Sequence, residues 1–294
     1  MTWLIIGGTG QLGIALSQEL GRRGKFFKSW GSGDLNIIKR PNVLSAIISL
    51  KPSVIVNCAA WTDVDGAESL KNEAFQVNAF GAENVALAAK ECGAKLIHIS
   101  TDYVFSGDSE IPWEIRDVRN PKSTYGRSKL SGEEKVMSTY SDHTLLLRTA
   151  WLYSPWKKNF MRTVLQLASQ DSMQIKMVND QIGQPTSAID LANRIVELVE
   201  NRIENGIFHA TNSGQATWFD FAREIMKIHG DDVTRLIPVH SSEFNRPAER
   251  PRFTVLSHEN WGRHELQPMQ DWKLALRNTM RVMESEKLKG PENA

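Results

Sequence analysis

The sequence predicts an α/β fold, a doubly wound parallel sheet of the Rossmann type with a smaller C-terminal α+β substrate domain. In the first half, short β-branched runs alternate with helical patterns, and a glycine-rich loop at residues 7–13 follows the first run. Such alternation requires crossover connections, which place helices on both faces of a parallel sheet. We expect a dinucleotide-binding domain over residues 1–150. Residues 151–294 should form mainly the substrate domain, with some segments returning to the Rossmann sheet.

In the first half, apolar runs bounded by turn residues predict strands, and 3.6-residue periodicity predicts helices. Predicted strands cover 3–6, 25–30, 53–60 (with its turn) and 95–100, and predicted helices cover 12–20 and 72–92.

The pattern is looser in the second half. We expect strands at 145–148 and 206–210, helices at 160–168 and 188–200, a polar loop at 245–252 and a frayed tail after residue 283.

Composition excludes several classes of protein. The 294 residues are 41% hydrophobic and 23% charged, which is ordinary globular usage. A formal charge of +1 argues against nucleic-acid or membrane-surface binding through a bulk positive field. Two cysteines exclude a disulfide framework and fit a reducing compartment, and no apolar run reaches the ~18–20 residues of a membrane span. We therefore expect a cytoplasmic protein.

The glycine loop carries Gly7, Gly10 and Gly13 between a strand and a helix. Glycines there permit a tight turn and let the backbone approach a pyrophosphate, while the helix N-terminus presents free N–H groups to the anion. An ordinary glycine turn is the alternative. The position of the glycine loop at the first strand–helix junction favours dinucleotide binding.

The second strand ends at Trp30 without the Asp or Glu that usually binds the adenosine ribose. Loss of that carboxylate removes repulsion against a 2′-phosphate, and Lys28 or Ser29 could favour one. Asp34 follows, where it could meet the adenine or ribose. The sequence leaves NADPH or NADH open, with a slight preference for NADPH.

Three residues form a catalytic pattern. Thr101 follows the 95–100 strand, and Tyr125 and Lys129 stand four apart, which puts the phenol and the ammonium on one helical face. A nearby ammonium is expected to lower the tyrosine pKa from its ordinary ~10 and suit it to proton exchange. A tyrosine packed over a lysine stem is the alternative explanation.

Several longer motifs occur along residues 4–256. They are Gly7-x-x-Gly10-x-x-Gly13, Asn57-Cys58-Ala59-Ala60, Ser100-Thr101-Asp102-Tyr103-Val104-Phe105, Tyr125-Gly126-x-x-Lys129, Ala60-x-Thr62-x-Val64-Asp65-x-Ala67-Glu68, Arg148-Thr149-Ala150-Trp151-Leu152-Tyr153, Asn159-Phe160, Asp180-Gln181-x-Gly183-x-Pro185-Thr186 and Arg250-Pro251. On these residues the chain resembles the extended short-chain dehydrogenase/reductases, and within them the dTDP-4-dehydrorhamnose reductase family.

The resemblance implies reduction of a dTDP-linked 4-keto-6-deoxysugar to dTDP-L-rhamnose with NADPH or NADH. It implies that Tyr125 protonates the carbonyl oxygen, that Lys129 holds the nicotinamide ribose and tunes Tyr125, and that Thr101 hydrogen-bonds the C4 oxygen. The implied cofactor contacts are Gly7, Gly10, Gln11, Leu12, Gly13, Asp34, Leu35, Ala59, Ala60 and Thr62, together with Tyr125 and Lys129. The implied substrate contacts are Thr101, Asp102 and Trp151. Arg250, with Arg246 and Arg252, is a candidate for the diphosphate or belongs to a solvated loop.

Departures from the family pattern limit what it implies. Some members dimerise through magnesium held by two glutamates, and those positions are Ala15 and Ile189 here. We expect no metal site, and a monomer or a dimer that does not depend on metal. Glu68 and Glu73 read as a solvated helix face, and Trp218 as core.

Three other functions need weighing. Nucleotide-sugar dehydratases carry Glu after the Thr-Asp pair, where this chain has Tyr103, so elimination lacks its base. A reductase for a different nucleotide-linked 4-keto-6-deoxysugar stays open, as does a non-catalytic NADP-binding regulatory subunit. The intact Thr101, Tyr125 and Lys129 favour catalysis.

Overall fold

The computed structural model describes residues 1–170 and 174–288. Its strands are β1 (Thr2–Ile6), β2 (Phe26–Trp30), β3 (Val54–Asn57), β4 (Lys95–Thr101), β5 (Thr144–Thr149), β6 (Leu152–Tyr153), β7 (Ile175–Val178), β8 (Ile182–Gly183), β9 (Thr186–Ser187), β10 (Gly206–His209), β11 (Asn212–Ser213), β12 (Ala216–Thr217), β13 (Leu236–Val239) and β14 (Met269–Asp271). Its helices are α1 (Gln11–Arg22), α2 (Arg40–Leu50), α3 (Gly66–Ser69), α4 (Lys71–Phe75), α5 (Ala82–Cys92), α6 (Thr124–Tyr140), α7 (Phe160–Ala168), α8 (Ala188–Glu200), α9 (Trp218–His229), α10 (Glu259–Gly262) and α11 (Trp272–Leu288).

Six parallel strands form the central sheet in the order β10-β5-β4-β3-β1-β2. The chain leaves β1 toward β2 on one side and then crosses to β3 on the other, so the strand order reverses between β1 and β3. In open α/β sheets, ligands bind at the carboxyl ends of the strands beside such a reversal. The predicted fold class is confirmed.

Both faces of the sheet are apolar, as the uninterrupted hydrophobic runs predict. Along β1, Trp3 and Ile5 pack with α1 and α8, whereas Leu4 and Ile6 pack with α2 and α5 on the opposite face. Alternation of side chains along a strand produces this two-sided burial. The sheet is therefore a rigid platform, and its carboxyl edge can hold side chains in fixed places.

Several elements of the structure differ from the predicted ones. The helix predicted over 72–92 is α4 and α5 joined by a π-helical segment, Gln76–Gly81. Helix α2 was not predicted, because its apolar residues lie too irregularly for a clear 3.6-residue pattern. The tail predicted to fray continues as helix α11 through Leu288, and residues 289–294 lie outside the described part of the chain.

A second hydrophobic cluster lies among α7, α9 and α11, where Met161, Phe221 and Leu276 are buried. Short two-stranded sheets surround it, pairing β6 with β9, β7 with β13, β8 with β12 and β11 with β14. The division of the chain near residue 150 stays a prediction. The central sheet takes β10 from the C-terminal half, and α8 packs on α1.

Candidate active site

A cavity of about 910 Å³ opens at the carboxyl ends of the strands beside the β1/β3 reversal. Most residues predicted for the site line it: Gly7, Gly10, Gln11, Leu12, Gly13, Leu35, Ala59, Ala60, Thr62, Thr101, Asp102, Tyr125, Lys129 and Trp151. Asp34 and Arg250 do not line it. The sheet thus brings three distant segments, the glycine loop, the end of β4 and helix α6, into one space.

The glycine loop forms a backbone cradle at one end of the cavity. Gly7 has a φ of +80°, and a Cβ there would lie 2.7 Å from the backbone nitrogen of Ala59, so only glycine fits. Gly10 precedes helix α1, and no side chain caps the helix. The first-turn N–H groups have no acceptor within the helix, and Gln11 and Leu12 line the cavity. These features fit the pyrophosphate of a dinucleotide.

Beside the glycine loop, the loop after β2 lines the cavity with Gly31, Ser32 and Leu35. The Asp34 carboxylate accepts a hydrogen bond from the Gly31 backbone N–H at 2.8 Å and so braces this loop. The binding of adenosine by Asp34 stays a prediction. Lys28 is exposed and does not line the cavity.

Thr101, Tyr125 and Lys129 all line the cavity. Thr101 ends β4, and Tyr125 lies in the first turn of α6, which Ser123 caps by accepting from the Gly126 N–H at 3.1 Å. Lys129 is buried one turn later and donates from Nζ to the Ile99 carbonyl oxygen at 2.7 Å. The helical spacing read from the sequence therefore does orient phenol and ammonium toward the same space.

The expectation that Lys129 lowers the pKa of Tyr125 is wrong for the protein without its cofactor. Burial raises the pKa of Tyr125 to about 12, and the Thr101 hydroxyl, within hydrogen-bonding reach of the phenol, only partly opposes this rise. Burial also lowers the pKa of Lys129 to about 8. Removal from water destabilises both charged forms, and this effect outweighs their proximity. The phenol is therefore protonated at neutral pH in the resting protein.

Asp102 is buried beside Thr101, whose hydroxyl donates to its Oδ1 at 3.0 Å. Burial raises the pKa of Asp102 to about 7, while the neighbouring Thr254 hydroxyl and the hydrogen bond from Thr101 lower it. This carboxyl group therefore titrates near neutrality at the cavity wall.

Trp151 has an unusual backbone and an aromatic partner. Its φ is +45°, and Gly183 lies so close that a Cβ there would be 2.5 Å from the Trp151 ring. The Trp218 ring stacks on Trp151 with centroids 3.5 Å apart and planes 6° from parallel. Trp218 is half-buried: it packs against the second hydrophobic cluster, as its prediction as a core residue requires, and it also lines the cavity.

Arg250 is engaged by an acidic partner. Its guanidinium forms a two-pronged ion pair with Asp65, with Nη2 2.6 Å from Oδ2. The pair ties the loop at 245–252 to the segment after β3. Because Arg250 does not line the cavity, its contact with substrate stays a prediction, and Arg246 and Arg252 are exposed.

Glu68 has a different place from the expected solvated face. Its Oε1 accepts from the Thr124 backbone N–H and its Oε2 from the Thr124 hydroxyl, each at 2.7 Å. Glu68 therefore binds the first residue of α6, directly before Tyr125, whereas Glu73 is exposed. Only the folded chain brings α3 to the start of α6, so no local sequence signal shows this contact.

The part of the chain that the structure describes has neither a cluster of side chains suited to a metal ion nor a helix suited to span a membrane. No group of three or more His, Cys, Asp or Glu side chains could hold a metal ion in residues 1–170 and 174–288. No helix in those ranges is long and apolar enough to cross a membrane. Ala15 is buried and Ile189 half-buried, and neither carries a ligand atom.

Comparison with known proteins returns consistent matches. The family model described as the RmlD substrate binding domain matches residues 1–285. A dTDP-4-dehydrorhamnose reductase of Streptomyces griseus is 39% identical over 93% of this chain and 91% of its own. A dTDP-4-keto-6-deoxy-D-glucose reductase of Streptomyces niveus is 37% identical over 97% and 98%. The crystal structure of a Bacillus anthracis dTDP-4-dehydrorhamnose reductase in complex with NADP superposes with a TM-score of 0.92, at 33% identity, covering 96% of this chain and 99% of that chain.

Proposed function

The chain belongs to the RmlD family, and from this membership we propose that it reduces dTDP-4-dehydro-L-rhamnose to dTDP-L-rhamnose with NADPH or NADH. It is an oxidoreductase of the dTDP-4-dehydrorhamnose reductase type. The observation that carries the proposal is the meeting of Thr101, Tyr125 and Lys129 with the glycine loop in one cavity.

The cavity fits a nicotinamide dinucleotide. Gly7 and the uncapped start of α1 suit the pyrophosphate, the loop after β2 suits the adenosine, and Ala60 and Thr62 stand toward the catalytic residues. When bound, the reduced nicotinamide supplies the hydride that converts the sugar ketone to an alcohol. The relative from Bacillus anthracis binds NADP, which favours NADPH for this chain, and the lack of a carboxylate at the end of β2 agrees with it.

Tyr125 supplies the proton in this proposal. Since burial raises its pKa to about 12, the phenol stays protonated at neutral pH and can donate to the oxygen of the carbonyl being reduced. The Thr101 hydroxyl, next to the phenol, can hydrogen-bond the same oxygen once its single O–H turns from Asp102 to the substrate. Lys129 keeps two of its three N–H donors available beyond the bond to Ile99, enough to hold a ribose hydroxyl and to stabilise the phenolate left behind.

The sugar nucleotide is proposed to contact Asp102 and Trp151. The flat Trp151 ring offers an apolar face for a deoxysugar or base, and Asp102 offers a hydrogen-bonding carboxyl group beside the catalytic threonine. Arg250 remains a proposed diphosphate ligand that would have to exchange Asp65 for the substrate.

A second sugar is a serious candidate. The Streptomyces niveus relative acts on dTDP-4-keto-6-deoxy-D-glucose and aligns over nearly all of both chains, so its substrate is the alternative for this protein. The two ketosugars share the 4-ketone and the 6-deoxy group and differ in the configuration of ring carbons. A non-catalytic NADP-binding subunit is the remaining alternative. It differs from the two reductases in that it would turn over neither sugar.

The assembly and location of the protein are also proposals. Ala15 and Ile189 replace the glutamates of the metal-linked dimer, so we propose a monomer or a dimer that forms without magnesium. Two free cysteines are compatible with a reducing cytoplasm.

The function is tested by following absorbance at 340 nm with enzymatically prepared dTDP-4-dehydrorhamnose and each coenzyme. We expect oxidation of the coenzyme and a product that chromatographs as dTDP-L-rhamnose, with the lower KM for NADPH. Oxidation with only dTDP-4-keto-6-deoxy-D-glucose would transfer the proposal to the second sugar. Binding of NADPH without turnover of either sugar would favour the regulatory subunit.

A further inference from the structure

A buried ion pair lies beside the catalytic lysine. Glu133 and Arg148 are each 1% exposed, and Arg148 donates from Nε to Glu133 Oε1 at 2.9 Å and from Nη2 to Oε2 at 2.8 Å. Ser100 Oγ adds a hydrogen bond to Oε1 at 2.6 Å. Two parallel bonds of this kind fix a carboxylate in orientation as well as in charge. Glu133 is thus buried and fixed in orientation, and the partly exposed Arg119 places a second cation 3.4 Å from Oε2.

This pair is aligned with the catalytic residues through two neighbouring elements. Glu133 lies four residues after Lys129 on α6, one turn further along the same helical face. On β4, the Ile99 carbonyl binds Lys129 and the next residue, Ser100, binds Glu133. Consecutive residues of one strand therefore hold consecutive turns of the helix. Strand β4 therefore fixes the positions of the lysine and the glutamate relative to each other.

The charges around Lys129 make Glu133 distinctive. Burial raises the pKa of the Cys58 thiol at the end of β3 to about 12, and it lowers the pKa of the His98 imidazole on β4 well below 6.5. Both groups are therefore neutral at neutral pH, as is the Tyr125 phenol. Glu133 is an anion that raises the pKa of Lys129 against the effect of burial.

We propose that Glu133, held by Arg148 and Ser100, is a positioning residue that keeps Lys129 protonated and directed into the cavity. Its catalytic consequence rests on the proposed function, since Lys129 serves the reaction only as an ammonium. Glu133 touches neither cavity nor substrate and acts through Lys129. Without it, the desolvated ammonium would lose its proton nearer to neutral pH.

The first test replaces Glu133 by Gln, which removes the charge with little change in shape. At a separation typical of one helical turn, loss of a unit charge moves a buried pKa by about one unit. We expect the alkaline limb of the kcat/KM profile to move about one pH unit toward acid. The control is Glu134→Gln, the same change on the adjacent, exposed residue, which should leave the profile unmoved.

The second test removes both members of the pair, because a lone buried charge can unfold the single variant. In Glu133→Leu/Arg148→Met, neither charge remains and the volume is similar, so we expect melting close to the wild type. Because the double change removes a cation together with the anion, the alkaline limb should again move toward acid, but by less than in Glu133→Gln. A limb that stays in place in either folded variant overturns the proposal, and so does failure of both variants to fold, which would make the pair purely structural.

A readout without turnover separates this proposal from the function. In the full chain without cofactor, the rate of Lys129 acylation, followed by peptide mass spectrometry, rises as the amine loses its proton. We expect its midpoint to fall by about one pH unit in Glu133→Gln and by less in the double variant. That shift supports the role of Glu133 even if neither sugar is reduced. An unshifted midpoint in the folded variants refutes it.

Discussion

The contact between Glu68 and the start of helix α6 yields a prediction with a calculable size. Glu68→Ala removes two hydrogen bonds, to the Thr124 N–H and hydroxyl, both at 2.7 Å. The glutamate side chain is 22% exposed, so solvent weakens the interaction only in part. Thr124 begins the helix and Tyr125 follows it, so the loss falls on the turn that carries the proton donor.

The magnitude follows from values for helix N-terminal contacts. Loss of a side-chain cap costs ~1 kcal/mol, and loss of a negative charge at a helix N-terminus costs a further ~0.3–1 kcal/mol. We therefore expect Glu68→Ala to lower the free energy of unfolding by about 1–2 kcal/mol, which in a chain of this length lowers Tm by about 2–4 °C. Loosening of the Tyr125 turn should lower kcat/KM by about tenfold.

The effect has a defined pH dependence. Burial raises the pKa of Glu68, but hydrogen bonds from Thr124 and the nearby Arg127 and Lys71 charges outweigh it, so the pKa lies below the ordinary 4.5. A carboxyl group whose pKa is lower in the folded than in the unfolded protein stabilises the fold at any pH above its unfolded-state pKa. This stabilisation is lost as the pH falls through the folded-state pKa. The difference in Tm between wild type and Glu68→Ala should therefore shrink below about pH 4.

Calorimetry and the 340 nm assay measure both effects. The control is Glu73→Ala, which removes the same side chain from an exposed position nearby and should change neither Tm nor kcat/KM appreciably. Equal melting temperatures for the two variants at pH 7 would refute the capping role of Glu68. A drop in Tm without loss of activity would restrict that role to stability.

Three further variants test the site. Tyr125→Phe should lower kcat by about 100-fold or more if the phenol donates the proton, with NADPH affinity little changed by fluorescence titration; unchanged turnover removes that role. Lys129→Met should abolish most turnover yet raise the free energy of unfolding at pH 7 by on the order of 2 kcal/mol, because a folded pKa of about 8 against an ordinary 10.5 burdens the folded state. The free energy of unfolding of the wild type should rise with pH between 8 and 10.5, so the extra stability of Lys129→Met should vanish by about pH 10. Extra stability that stays constant with pH would contradict the lowered pKa of Lys129. Trp218→Leu should remove the circular-dichroism couplet of two stacked indoles and raise the KM for the sugar nucleotide about three- to tenfold, and a retained couplet would contradict the stacking with Trp151.

Local patterns were sufficient for much of the fold. Buried strands such as β1 and β4 and helices such as α7 and α8 were predicted because apolar periodicity and turn residues act over a few residues. The glycine loop and the Tyr125–Lys129 spacing are equally local. The π-helical segment at Gln76–Gly81 was not predicted, because its geometry departs from the 3.6-residue repeat on which the prediction rests.

Long-range contacts and the dielectric surroundings were decided by the tertiary structure. Arg250 is paired with Asp65, Glu68 binds the start of α6, and Glu133 is paired with Arg148. Each of these contacts joins two different elements or loops, so no local pattern predicts it. The sequence alone determined which groups exist and which share a helical face. Only packing determined how much water they keep, and desolvation therefore gave Tyr125 a raised pKa where its spacing from a lysine suggested a lowered one.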